Sequence, residues 1–227
     1  DLQNLLPLAI TPVASDQFGG FLLAITIGIA GIALSLPMGI MLALARRSDM
    51  FLVKSLSVMF IEFIRGVPLI SLLFVASLLL NYFLPPGTNF DIILRVIIMV
   101  TLFAAAYMAE VIRGGLAALP KGQYEAADAL ALTKAQSVRH IVLPQALRTV
   151  IPVFTNEAIG LSKDTSLLKI VGMHEMLSMA TLVMSNPDFL GTQRELLFFA
   201  GVIFWIVTYA ISYSGRRVER AQGLGRR

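Results

Sequence analysis

The stretch that decides the fold is FGGFLLAITIGIAGIALSLPMGIMLALA, residues 18–45, which carries no ionisable side chain and is followed by the basic pair Arg46-Arg47. A helix that crosses a membrane needs about 20 predominantly apolar residues. The glycines and the proline inside the stretch do not argue against a span, because membrane helices tolerate both. Residues 18–45 therefore predict a first transmembrane helix.

Further apolar runs follow along the chain, and the fourth of them is shorter than the others. We predict spans at residues 18–45, 54–83, 92–112, 148–161 and 196–213. The predicted fold class is an all-α integral membrane protein with five transmembrane helices. An odd number of spans argues against a simple inverted duplication within the chain.

The composition excludes several other classes. Of 227 residues, 57% are hydrophobic and 14% charged, with a mean hydropathy of +0.80. Soluble domains carry about 25% charged residues, so an ordinary soluble enzyme, a disordered chain and a coiled coil are all excluded. The absence of cysteine from the sequence excludes disulfides and cysteine-based metal sites. We expect membrane lipid around the chain and no nucleic-acid partner.

The basic residues indicate the orientation. They concentrate in residues 46–54, 114–147 and 214–227, and the positive-inside rule places these segments in the cytoplasm. The expected domains are an N-terminal segment 1–17, a transmembrane domain 18–215 and a basic cytoplasmic tail 216–227. Segment 1–17 lacks the basic n-region of a signal peptide. Because the chain begins at Asp1 rather than Met, the question whether further residues precede it is left open.

The loop at residues 114–147, between spans three and four, is too polar to cross a membrane. Pro120 suits the start of one helix, and Thr133 with Gln136 forms a T-x-x-Q capping box that starts another. We predict two short helices with a bend near Ala131-Leu132. The alanines of the first helix (Ala126, Ala127, Ala129 and Ala131) would present a low surface to another protein, unless this is simply a solvated surface helix.

Ionisable residues at membrane depth need a physical reason, because each is costly to insert. Glu62 and Arg65 are three residues apart, as are Glu110 and Arg113, so each pair is predicted to form an ion pair. Glu157 has no counter-charge among its helical neighbours. It is a candidate to bind the ammonium group of an amino acid, or else to form a hydrogen bond to a neighbouring helix or subunit.

Five short motifs together carry a family resemblance. Glu125-Ala126-Ala127 followed by Ile141-x-Leu143-Pro144 resembles the EAA loop of binding-protein-dependent ABC importer permeases, although that family has glycine where this chain has Ala131. A left-handed bend costs a non-glycine residue about 1 kcal/mol, so we expect a helical turn or one shifted towards Thr133. The other motifs are Arg65-Gly66-Val67-Pro68-Leu69, Ala109-Glu110-x-x-Arg113-Gly114-Gly115, Asn156-Glu157 and Lys163-Asp164-Thr165-Ser166-Leu167.

Over residues 18–220 the chain resembles the polar amino-acid uptake permeases, and above all the larger permease of general L-amino-acid transporters. The resemblance implies an ATP-driven importer in the bacterial inner membrane, broad towards acidic and neutral polar amino acids and working by alternating access. It implies two ATP-binding cassette ATPase subunits, a second permease, identical or related, and a periplasmic solute-binding protein. The implied ATPase-coupling residues are Tyr124, Glu125, Ala126, Ala127, Leu130, Ala131, Ile141, Leu143 and Pro144.

The chain itself is not expected to be an enzyme. It contains no G-x-x-x-x-G-K-[ST] motif, so ATP and Mg²⁺ would be bound by the partner ATPase, and no cofactor is expected in this chain. His174-Glu175 is half of a zinc motif, but Ser178 replaces the second histidine, so no metal site is predicted. An ion-coupled transporter or channel using Glu157 or Glu110, and a passive membrane anchor, remain the alternatives.

The remaining polar residues of the spans and outer loops give weaker expectations. The candidates for the substrate path are Glu157, Asn156, Gly160, Ser71, Tyr107 and Lys163. Lys163 could meet a substrate carboxylate at the outer mouth, while Asp164 is predicted to cap an outer helix. The outer loops 85–91 and 185–193 are the expected surface for the solute-binding protein.

Overall fold

A computed structural model of the chain describes Ser15, residues 17–83, Pro85 and residues 90–223, and this part of the chain is almost entirely helical. Its α-helices are α1 Gly20–Arg46, α2 Phe51–Gly66, α3 Leu69–Phe74, α4 Ile92–Ala117, α5 Lys121–Ala129, α6 Lys134–Ser137, α7 Leu143–Asp164, α8 Met176–Met184 and α9 Gln193–Ala221. Turns of π-helix at Val75–Leu79 and Val138–Val142 extend α3 and join α6 to α7. Turns of 3₁₀-helix lie at Leu80–Phe83, Thr165–Val171 and Pro187–Phe189.

Three of these helices, α1, α4 and α9, are long and apolar enough to cross a membrane. The pair formed by α2 and the helix after it gives a fourth candidate if it is one broken span. Helix α7 has 22 residues but is not among the helices apolar enough to cross a membrane, since it carries Gln145, Arg148, Asn156 and Glu157. The prediction of an all-helical membrane protein is confirmed, and the total of five spans stays a prediction.

The second predicted span is not one helix, and that expectation was wrong. The helix ends at Gly66, and the chain bends by 103° before Leu69. Pro68 lacks an N–H and its ring disfavours a helical conformation for the residue before it. Val67 accordingly has φ −105° and ψ 130°, which is extended backbone.

A buried arginine holds the π-helical turn that follows the bend. Arg95 of α4 is 7% exposed. Its Nη1 atom donates to the carbonyl oxygens of Ala76 and Ser77 at 3.0 and 2.9 Å. Such bonds from a charged donor are stronger than bonds between neutral groups, so Arg95 fastens α3 to α4.

The core is built around α1 and α4, which make the most extensive helix pair. Towards the start of α1, Leu23 and Ile27 pack with Val96 and Val100 of α4. A second group nearer the other end combines both helices with α7 and includes Ala43, Met108, Ile112, Ala146 and Val150. Helix α9 contributes almost nothing to either group, and only 6% of its most apolar stretch is buried.

The start of α1 is tied to the start of α8. The N–H of Gly20 donates to the carbonyl oxygen of His174 at 2.6 Å. The fully buried carboxylate of Glu175 caps α8, accepting from the N–H groups of Leu177 and Ser178 at 2.8 and 2.7 Å. Burial raises the pKa of this carboxyl group, and the two N–H donors oppose the shift.

The helix cap predicted at Asp164 was wrong. Helix α7 continues through this residue, whose side chain makes no capping hydrogen bond. A turn of 3₁₀-helix carries the chain onward to Val171, so the next N-terminus that needs a cap is that of α8, where Glu175 supplies it.

Candidate coupling surface and substrate path

The segment from α5 to α6 contains the predicted bend. Ala131 lies between the two helices with φ 55°, the one left-handed non-glycine residue in the described part of the chain. The expectation of a helical or shifted turn was therefore wrong. The capping box is confirmed, since the Oγ1 atom of Thr133 accepts from the N–H of Gln136 and the Gln136 side chain accepts from the N–H of Thr133.

Helix α5 has a buried side and an exposed side. Ala127 is fully buried, so it does not belong to the low alanine surface predicted from the sequence. Among the exposed residues, which also include Lys121, Gly122 and Asp128, we call Glu125, Ala126, Ala129, Leu130 and Ala131 the α5 surface. Leu130 is its largest apolar member and is 71% exposed.

The other predicted coupling residues hold α5 against the body of the chain. The Tyr124 hydroxyl donates to the carbonyl oxygen of Leu116 at 3.4 Å and accepts from Nη1 of Arg47 at 3.2 Å. Ile141 and Leu143 pack into the same core group as Tyr124. Pro144 is exposed at the start of α7. The predicted set therefore divides into an anchor and an outward surface.

The start of α6 is also paired with the loop between α1 and α2. The Nζ atom of Lys134 lies 2.6 Å from a carboxylate oxygen of Asp49, and both side chains are exposed. The hydrogen bond from Lys134 lowers the pKa of Asp49. An exposed ion pair of this kind contributes little stability, so its role here is to hold the start of α6 beside the loop between α1 and α2.

Glu110 of α4 lies at the centre of an ion cluster that joins three helices. Its carboxylate pairs with Arg113, as predicted, and lies 3.2 Å from Arg46 of α1 and 3.9 Å from Arg65 of α2. The pair predicted between Glu62 and Arg65 is wrong. Glu62 pairs with Arg46 at 2.9 Å, because the side chain of Arg65 turns towards α4 instead.

Two of the substrate-path candidates lie together. Glu157 is half-buried and borders a small cavity of about 50 Å³ together with Gly160, Ser35 and Asp164. Asp164 was not among the predicted path residues. Its position seven residues after Glu157, two turns along one helix face, was a signal that could have found it. Ser35 of α1 gave no comparable signal.

The other candidates lie elsewhere. Asn156, Ser71 and Lys163 are exposed, and none of them borders this cavity. The hydroxyl of Tyr107 donates to the carbonyl oxygen of Arg65 at 3.5 Å, and the Arg65 guanidinium lies 5.6 Å from its ring centre. Tyr107 thus supports the junction of α2 and α4. Within the described residues, no group of three His, Asp or Glu side chains could hold a metal ion.

Apolar helices of membrane length, an ion cluster that joins two of them, α1 and α4, to α2, and an outward surface on the short helix α5 define an integral membrane protein. The chain belongs to the family of binding-protein-dependent transport system inner membrane components, whose sequence model matches residues 35–222.

Its relatives are permease proteins. The chain is 59% identical over 220 residues to the glutamate/glutamine/aspartate/asparagine transport system permease protein BztC of Rhodobacter capsulatus, covering 96% of this chain and 51% of that one. It is 46% identical over 218 residues to the inner membrane amino-acid ABC transporter permease protein YhdY of Escherichia coli, covering 96% and 59%. The chain therefore spans about half the length of these curated relatives.

A solved structure has a similar fold. One chain of the crystal structure of an amino acid ABC transporter with histidines superimposes with a TM-score of 0.77 at 26% identity, covering 89% of this chain and 92% of that one. The arrangement of helices described above is therefore that of an ABC transporter permease.

Proposed function

We propose that the chain is a transmembrane permease subunit of an ATP-driven importer of polar L-amino acids, broad towards acidic and neutral ones. The sequence resemblance, the family and the names of the relatives support this proposal. The complex would contain two ATPase subunits that bind ATP and Mg²⁺, a second permease and a periplasmic solute-binding protein. The C-terminus lies in the cytoplasm, as the basic loops predict.

The α5 surface contacts the ATPase in this proposal, and it is the observation that carries the coupling role. Leu130 is an apolar side chain that is 71% exposed, and it lies at the end of a helix that Ala127 and Tyr124 hold against the core. From Lys134 the backbone continues without a break through the π-helical turn into α7. Because α7 carries Glu157, a displacement imposed at α5 crosses the turn at Ala131 and then reaches the substrate path along the continuous helical run that begins at Lys134, as alternating access requires.

Glu157 binds the substrate ammonium group in this proposal. Every amino acid carries that group, so a carboxylate for it suits a broad importer. The cavity beside Glu157, at about 50 Å³, has room for one or two waters at about 30 Å³ each. Substrate therefore enters only after α1 and α7 separate, which is consistent with alternating access.

The coupling role is tested in the full transport complex with Leu130→Asp. Leu190→Asp is the matched control, because Leu190 is 73% exposed on the opposite, outer loop. We expect Leu130→Asp to abolish co-purification of the ATPase, while Leu190→Asp leaves that co-purification unchanged. Normal ATPase association and ATP-driven uptake in the Leu130 variant would remove the α5 surface from the mechanism.

The substrate role is tested with Glu157→Gln in proteoliposomes, with Glu195→Gln, an exposed carboxylate on α9, as control. We expect loss of uptake in the first variant and normal uptake in the second, with both complexes assembled. Uptake that survives ATP depletion but fails when ion gradients are collapsed would instead support the ion-coupled alternative.

A further inference from the structure

An open apolar cavity lies where α1, α7 and the end of α9 meet. Its volume is about 390 Å³, and four apolar side chains from α1 and α7 line most of it: Leu36, Leu147, Ile151 and Phe154. Its polar lining includes Arg148 and Gln222. Volumes of this order are typical of small-molecule sites, which are mostly apolar with a few placed polar groups.

The polar end of this cavity is positively charged. In the described ranges, no carboxylate lies within 4.0 Å of the Arg148 guanidinium, which is exposed. Gln222 follows the last turns of α9, where Arg216, Arg217 and Arg220 are accompanied by a single acid, Glu219. The site therefore combines a hydrocarbon-lined interior with an unpaired guanidinium at one end.

We propose that this cavity binds an anionic phospholipid, with an acyl chain along the apolar lining and the phosphate on Arg148. A guanidinium binds phosphate oxygens with strong, charge-assisted hydrogen bonds. Basic pockets between membrane helices on the cytoplasmic side are suited to anionic headgroups. An acyl chain needs no hydrogen-bond partner from the largely apolar lining, whereas an extended segment of protein would need partners for its backbone groups. A helix of a partner subunit satisfies its own backbone groups, and its presence here is the outcome that the cross-link in the test below would detect.

The proposed site adjoins the cavity beside Glu157, because Phe154 lines both, but it contains none of the ionisable residues of that cavity and does not depend on what is transported. Arg148 lies nine residues before Glu157 on α7, and neither Glu157 nor Asp164 lines this cavity. Pro144, at the start of α7, does line it. A bound lipid would therefore contact the helix close to the point where it leaves the coupling segment.

The test is lipid binding to the complete, delipidated transport complex by native mass spectrometry. Phosphatidylglycerol and phosphatidylcholine are titrated separately against the unaltered complex, Arg148→Gln, Arg148→Lys and Arg139→Gln. Arg139 is a matched control, since it is also an exposed arginine, nine residues earlier in the chain, and does not line the cavity. A basic residue near the membrane surface contributes about fivefold in affinity for an anionic lipid.

We expect phosphatidylglycerol to bind more tightly than phosphatidylcholine, Arg148→Gln to weaken it about fivefold, and the other two variants to match the parent. We also expect phosphatidylglycerol to raise the melting temperature of the unaltered complex more than phosphatidylcholine does, a readout that needs no variant. Equal binding of the two lipids, an unchanged affinity in Arg148→Gln, or a cross-link from Leu147 to a partner protein would overturn the proposal.

Discussion

Two adjacent glycines on α4 allow the packing of this chain to be tested by one matched pair of substitutions. Gly115 is buried against α7, and a Cβ atom built on it would lie 2.6 Å from Cγ1 of Val150 and 3.0 Å from the carbonyl oxygen of Ala146. The second contact is with backbone, which cannot move aside. Gly114 is exposed, and a Cβ atom there would meet nothing within 4 Å.

The expected difference in stability between the two variants is found by cancelling the contribution that both of them make. Replacing glycine by alanine inside a helix gains about 0.5–1 kcal/mol at either position. Forcing an extra carbon into a packed contact costs about 1–3 kcal/mol, and only Gly115→Ala has that cost. The difference between the variants therefore isolates the overpacking, and we expect Gly115→Ala to be less stable than Gly114→Ala by about 1–3 kcal/mol.

The assay is thermal unfolding of the purified protein in one detergent, with both variants measured side by side. For a chain of this length about 1 kcal/mol corresponds to about 2–4 °C, so Gly115→Ala should melt roughly 2–12 °C below Gly114→Ala. Equal melting temperatures, or a higher one for Gly115→Ala, would show that α4 and α7 do not approach as closely as described.

Three further predictions concern single side chains. Ala131→Gly should raise stability by about 0.5–1 kcal/mol because it relieves a left-handed alanine, whereas Ala135→Gly, in the exposed part of α6, should lower it by about 1 kcal/mol in the same unfolding assay. Arg95→Met should lower stability by about 1.5–3 kcal/mol, since it removes the charged donor to two carbonyl groups, and Arg95→Lys should lose less; protease sensitivity of the turn at Val75–Leu79 checks this locally. Asp91 caps α4, and its hydrogen bond from Ser15 keeps its pKa below the ordinary 3.8, so its stabilisation should be present above that pH and lost as the pH falls through the lowered pKa. At neutral pH, Asp91→Ala should lower the free energy of unfolding by about 0.5–2 kcal/mol and Asp91→Asn by much less. When melting temperature is measured as a function of pH, both variants should lack the loss of stability in acid that the Asp91 carboxylate causes in the parent.

The sequence was most informative where one property decides the structure. Apolar length alone located α1, α4 and α9, and the T-x-x-Q pattern located the start of α6. Each of these signals is local, because helix formation and capping depend on neighbouring residues. The ends were less predictable: α4 and α9 continue past the predicted spans to Ala117 and Ala221.

The failures arose where the outcome depends on a distant part of the chain. Hydropathy could not show that Pro68 would bend the second span, since proline is often accommodated within membrane helices. The pairing of Glu62 with Arg46 depends on how α1 lies beside α2, and the burial of Ala127 depends on the core beneath α5. Tertiary packing decides these contacts, and one sequence does not display it.

The candidate site was predictable to a similar degree. Glu157 was found because an ionisable residue in an apolar run is conspicuous, and the structure places Gly160 beside it. Asp164 was interpreted as a cap because a short acidic side chain near a helix end usually is one. Its place in the cavity follows from the continuation of α7, which only the structure shows.

The dominance of the pair formed by α1 and α4 has a consequence for biogenesis. Helix α1 ends at Arg46 and α4 is complete only at Ala117, which is 117 − 46 = 71 residues later. At about 5–20 residues per second, the ribosome takes roughly 4–14 s to deliver the partner helix. During that interval the residues of α1 that will pack on α4, such as Leu23 and Ile27, have only lipid, the insertion machinery or a chaperone to cover them, so slowing translation after Arg46 should lengthen the exposure of the nascent chain to quality-control proteases.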